Sequence, residues 1–148
     1  MFMTNTVYAG GATSKSVEVR AFVASTGLPK TDLVYNTSGL TASYQRGPTG
    51  TVTSITLATQ TSTGAYSSGG FVHKNAGVYR LDVPDAALAA GVDYVTFTLA
   101  GVSDCVITAA RVDISGADPR SATVDANVTK INNTTVVGAG TSGDKWRA

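Results

Sequence analysis

His73 and Cys105, the single histidine and single cysteine of the chain, are the side chains best suited to proton or nucleophilic chemistry near neutral pH. His73 sits in the stretch GGFVHK beside Lys74, and no second histidine exists to complete a metal site or a proton relay. It reads as a solvated strand histidine. Cys105 lies in DCVITAARV, where its apolar neighbours predict a strand and a thiol that behaves as a small hydrophobe. A lone cysteine also excludes an intramolecular disulfide framework and a multi-cysteine zinc site, while leaving the redox compartment open.

Carboxylates are the next candidates. Asp82, Asp85, Asp93 and Asp104 fall near the ends of the expected elements, and carboxylates gathered at one end of a sandwich could hold calcium. The dense D-x-D-x-D spacing of a calcium loop is absent, so no metal site is assigned. There is no G-x-S-x-G elbow, no phosphate-binding glycine loop and no H-E-x-x-H. The pairs Gly10-Gly11 and Gly69-Gly70 lack the following helix that a phosphate site needs. No pair of catalytic groups emerges, and the chain reads as a non-enzyme without a cofactor.

Tyr35, Tyr44, Tyr66, Tyr79, Phe71 and Phe97 are spread over strands and loops rather than spaced as a stacking platform. Most are expected in the core or at its rim. Tyr66, in the polar loop TGAYSSGG, is the exception, and an exposed aromatic at a loop tip is a candidate partner contact. If the chain were a carbohydrate-binding module, Tyr66, Tyr44 and Tyr35 would be the residues to suspect.

The elements that must position these groups follow from composition and period. The 148 residues suffice for one ordinary domain plus a short tail. Hydrophobic residues make up 43% and charged residues only 14%, so the polar surface rests on Thr, Ser, Asn and Gly, which favour strands and turns. A net charge of +1 provides no basic field for nucleic acid. No apolar run approaches the length of a membrane span and no secretory leader is recognisable, so cytosolic synthesis without membrane insertion is expected. Sequons such as Asn36-Thr37-Ser38 and Asn127-Val128-Thr129 read as polar turns and strand faces.

Residues 1–15, rich in Gly, Ala, Thr and Ser, are read as an N-terminal arm that orders only against something else. Residues 16–116 are read as the domain. Val17, Val19 and Ala21 alternate with Glu18, Arg20 and Phe22, the period of a strand with one buried face. Strands are also expected at LVY (33–35), at LTASYQR (40–46), at TVTSITL (51–57, with a bulge), at 71–74 and at 77–83. In the latter, Tyr79, Leu81 and Val83 share a side. Pro84 to Gly91 predicts one or two helical turns, with Pro at the start and Gly at the end. Val95, Phe97 and Leu99 predict the core face of the next strand, and Cys105 to Ser115 one further long strand. About seven strands and one short helix give an antiparallel all-β sandwich, because too little helix exists to cover a parallel sheet.

Residues 117–148 form a separate tail or hairpin. Val124, Val128 and Ile131 can lie on one ribbon, and Asn132-Asn133 can turn the chain back into TTVV, which includes Val136. An isolated hairpin is marginal in water, so its support must come from the domain, a neighbouring subunit or a host particle. Ile131, Val136 and the sole tryptophan, Trp146, are therefore candidate partner contacts, Trp146 against an intersubunit or host-particle pocket.

Four phrases carry a resemblance when taken in order: NTVYAGGATSKSVEV, GLPKTDLVYNTSGLTASYQR, GGFVHKNAGVYRLDVPDAALAAGVDYVTFTL and VTKINNTTVVGAGTSGDKWRA. Together they span most of the chain and resemble small structural proteins of tailed bacteriophages, including the immunoglobulin-like N-terminal domains of baseplate upper proteins and fibre-associated modules. The resemblance implies an immunoglobulin-like sandwich in a virion component, made in the host cytoplasm. It further implies several copies around a symmetry axis, a trimer being the expectation, anchored by one or both arms to other virion proteins. It supplies no catalytic residues. A long fibre repeat is missing, which points to an adaptor in the tail, baseplate or fibre-attachment region. The rival within the class is a capsid-surface decoration protein, and the rival outside it is a carbohydrate-binding module engaging a host-surface glycan.

Overall fold

The computed structural model describes residues 6–116 and, towards the C-terminus, residues 130, 131, 134 and 135. The chain divides into two compact units, Met1–Asp118 and Pro119–Ala148.

The first unit is an all-β sandwich of two five-stranded sheets. Its strands are β1 (Thr6–Ala9), β2 (Ser16–Val23), β3 (Thr41–Arg46), β4 (Thr53–Ile55) and β5 (Ala58–Thr59), then β6 (Gly70–Asn75), β7 (Val78–Asp82), β8 (Tyr94–Ala100), β9 (Cys105–Ile107) and β10 (Ala110–Ser115). One sheet runs β1-β10-β8-β3-β4 and the other β5-β6-β7-β2-β9. Most neighbours are antiparallel, but β1 pairs parallel to β10 and β5 parallel to β6, so both sheets are mixed.

The alternation in the sequence sets which side of each strand is buried. Val17, Val19 and Ala21 of β2, Tyr79 and Leu81 of β7, and Val95, Phe97 and Leu99 of β8 point between the sheets and are nearly inaccessible to water. Ala42, Val112, Ile55, Phe71, Val83 and Leu33 complete the core with Ala87 and Leu88. Each large apolar side chain so buried contributes ~1.5–3 kcal/mol over its exposed state. The Phe71 and Tyr79 rings stack at 5.0 Å between centroids.

Several expectations change. The N-terminal segment is not wholly an arm: Thr6–Ala9 forms β1 and pairs with β10 from Thr6↔Val112 to Ala9↔Ser115. Gly10 N–H then donates to Ser115 O at 2.9 Å and Gly11 N–H to Leu88 O at 2.7 Å. The strand forms because the edge of β10 offers the backbone partners that a lone four-residue segment lacks.

The long strand expected from Cys105 to Ser115 is two strands. β9 pairs with β2 in one sheet, and the chain crosses at Thr108–Ala109 into β10, which pairs with β8 in the other. A second crossing separates β4 from β5, where only imperfect alternation and a bulge were expected: β4 joins β3 in the first sheet and β5 joins β6 in the second. Strands that change sheet at a corner close the ends of a sandwich.

The expected strand LVY is a loop. Its backbone groups bond elsewhere, Leu33 N–H to the Tyr79 hydroxyl at 3.1 Å and Val34 N–H to Thr37 Oγ1 at 2.8 Å. The helix expected after Pro84 is a single 3-10 turn, Asp85–Leu88, which buries Ala87 and Leu88 before Ala89 returns to extended backbone.

In the second unit, β11 (Lys130–Ile131) pairs antiparallel with β12 (Thr134–Thr135), Ile131 opposite Thr134. Trp146, Val136, Val124, Val128 and the proposed Asn132-Asn133 turn lie outside the described residues.

Candidate functional site

Asp82 ends β7 on the β2 side of the sheet and is completely buried, the only buried charged residue of the described core. A carboxylate without water must find every hydrogen bond inside the protein. Oδ1 accepts from Ser16 Oγ and from Arg80 Nε, both at 2.6 Å. Oδ2 accepts from Gln60 Nε2 at 2.7 Å, Ser67 N at 2.9 Å and Arg80 Nη2 at 3.1 Å. Arg80 therefore grips both oxygens, the strong form of a charge-assisted pair.

The loop between β5 and β6 closes over this pair. Arg80 Nη1 donates to Gly64 O and Gln60 Nε2 to Ala65 O, each at 2.8 Å. Gly69 N–H donates to Asp82 O at 2.8 Å. Burial pushes the Asp82 carboxyl upward, but the hydrogen bonds from Arg80, Ser16, Ser67 and Gln60 outweigh it and hold the group below the ordinary aspartate range. The polar loop that the sequence marks as exposed is thus tied down from within. Chemically the cluster is closed: its acceptors are occupied, and a bound guanidinium stands where a cation would have to enter.

Asp85 and Asp104 are also anchors. Asp85 Oδ1 accepts from Ser14 N at 2.8 Å and lies 3.3 Å from the Tyr66 hydroxyl oxygen. Asp104 accepts from Ser25 N at 2.7 Å and Ser25 Oγ at 2.8 Å. Asp82 bonds the first residue of β2 and Asp104 a residue just past its last, so they lie a strand length apart, about 26 Å at ~3.3 Å per residue. They do not gather at one end. Among the described residues no three of His, Cys, Asp and Glu come close enough together to hold a metal ion.

Tyr66 is not an exposed loop tip. Its ring is half-buried and its hydroxyl donates to Val83 O at 2.7 Å, pinning the loop to the end of β7. Burial raises its phenol, with the charges of Asp85 and Asp82 adding to the effect. Cys105 is half-buried at the start of β9, where burial raises the thiol and disfavours the thiolate a nucleophile requires. His73 is half-buried rather than solvated: its ring packs on Tyr79 at 5.1 Å, and Nε2 accepts from Gly77 N–H at 3.4 Å.

One open cleft of about 360 Å³ lies where the loop of residues 31–36 faces Thr59, Gln60 and the Phe71–His73 stretch of β6. Tyr35 lines it and is 39% exposed, while Tyr44 packs against Phe97 at 6.3 Å away from it. The three suspected tyrosines are therefore not brought together. Leu33, which plugs the core beneath the cleft, and Arg80, the partner of Asp82, are not visible as functional residues in the sequence. Arg80-Leu81-Asp82 does carry a signal, since residues i and i+2 of a strand share a face and opposite charges there can pair.

No protein family, curated protein or solved structure matches this chain.

Proposed function

We propose that this chain is a non-enzymatic structural protein of a tailed-phage virion, serving as an adaptor in the tail, baseplate or fibre-attachment region. The observation that carries the reading is where the chemically capable groups go. Asp82, Arg80 and Tyr66 hold the β5–β6 loop to β7 and its end, while Asp85 and Asp104 tie one turn to another, so the polar chemistry of the domain serves its shape. The ordered phrases described above supply the virion context. A rigid sandwich whose first strand is added in parallel to the edge of another suits a part that transmits position between larger neighbours.

Quantitative mass spectrometry of gradient-purified particles tests the assignment. A tail or baseplate adaptor is present in few copies per particle. A capsid decoration protein is present at a stoichiometry set by the head lattice. Absence of the chain from particles overturns both.

A further inference from the structure

We infer that the cleft between the loop of residues 31–36 and β6 binds a neutral sugar ring, with Tyr35 as its stacking surface. The inference does not depend on the virion reading.

At about 360 Å³ the cleft falls in the lower part of the ~300–1,000 Å³ range of small-ligand sites. Its floor is apolar, formed by Phe71, which is almost fully buried. The rim is polar. Thr59 and Asn36 line it, and among the described residues neither their side chains nor the Tyr35 hydroxyl has a hydrogen-bond partner. His73 lines it as well. A pyranose presents an apolar C–H face bordered by hydroxyls, and this lining offers an aromatic for the first and donors and acceptors for the second.

Charge argues in the same direction. The only acid lining the cleft is Asp32, and Lys30 Nζ already holds its carboxylate at 3.1 Å, so the pair leaves little field for an ionic ligand. The loop is also set in advance. Leu33 is buried, its N–H is bound by the Tyr79 hydroxyl, and that hydroxyl donates to Lys30 O at 2.8 Å. Thr37 N–H donates to Val34 O at 2.9 Å and closes the turn that carries Tyr35 and Asn36. A ligand arriving there orders little new backbone, which lowers the entropy cost of binding.

The experiment titrates the isotopically labelled full chain with the methyl glycosides of glucose, galactose and N-acetylglucosamine at millimolar concentrations, following backbone amide resonances. The expected result is a saturable shift of the amides of Leu33, Tyr35, Asn36, Val72 and His73 with at least one glycoside. Tyr35→Ala should weaken that binding about tenfold or more, and Asn36→Ala should weaken it less. Both side chains are exposed, so the variants keep the dispersed spectrum of the folded domain. Shifts confined to other surfaces, no shift with any of the glycosides, or equal binding by Tyr35→Ala would each overturn the assignment.

Discussion

Arg80 and Asp82 stand two residues apart on β7 and form a bidentate ion pair, Nε to Oδ1 at 2.6 Å and Nη2 to Oδ2 at 3.1 Å. Asp82 has no exposed surface and the Arg80 side chain is only 15% exposed, so the pair is internal. Removing one member leaves the other charge buried and unmatched, which costs far more than the net worth of the intact pair. Asp82→Ala is therefore expected to lower the unfolding free energy by about 3–5 kcal/mol. Urea denaturation followed by circular dichroism checks this. An unchanged midpoint would show that the pair contributes nothing.

The same carboxyl makes stability depend on pH in a defined direction. Its folded-state pKa lies below the ordinary value of 3.8. Its contribution is therefore fully present above that value and is lost as pH falls through the lower folded-state pKa. Melting temperature should be flat with respect to this group at neutral pH and fall steeply below about pH 4. In Asp82→Asn that acid limb should be shallower, although the variant is less stable at pH 7.

Tyr66→Phe removes only the hydroxyl that donates to Val83 O. A net loss of about 1 kcal/mol is expected, typical of one partly buried hydrogen bond. The loop of residues 60–69 should then be cut faster by a protease of broad specificity while the rest of the sandwich resists. Equal cleavage rates in variant and parent would remove the pinning role.

Gly69 marks the closest backbone approach of the same loop. Its φ is +80°, and a Cβ there would collide with Thr56 O, at the corner where the chain leaves β4 for β5. Gly69→Ala is expected to cost at least ~1–3 kcal/mol from backbone strain alone, with the clash adding to it. Thermal denaturation reads the effect. Gly11→Ala is the control: its φ is also positive, at +85°, but nothing lies within 4 Å of the added atom, so it should cost less.

Much of the fold is legible along the chain. The alternation at Val17, Val19 and Ala21, at Tyr79, Leu81 and Val83, and at Val95, Phe97 and Leu99 predicts which faces are buried, because the pleat of a strand is a local property with a period of two. LVY misled for a local reason as well: β-branched and aromatic residues fit a strand, but Leu33 alone is buried, while Val34 and Tyr35 point outward from a loop. The candidate sites were less legible. Tyr66 looked like an exposed tip because its loop is polar, and the polarity instead serves Asp82 from inside. Tyr35 stands out only as one of several scattered tyrosines, and nothing in its spacing places it across from Phe71 and His73.

What the residues determine by themselves is the repertoire: an all-β domain, its core faces and its turns. Which strands become neighbours was decided only in three dimensions. Backbone ladders use the same N–H and C=O groups whatever the side chains, so no residue announces that β1 will run parallel to β10 or that the chain will change sheets at Thr108–Ala109. The buried carboxylate was decided there too. Ser16, Gln60 and Ser67 reach Asp82 from 66, 22 and 15 residues away, and only the packed sandwich, by removing water from that spot, makes their hydrogen bonds necessary.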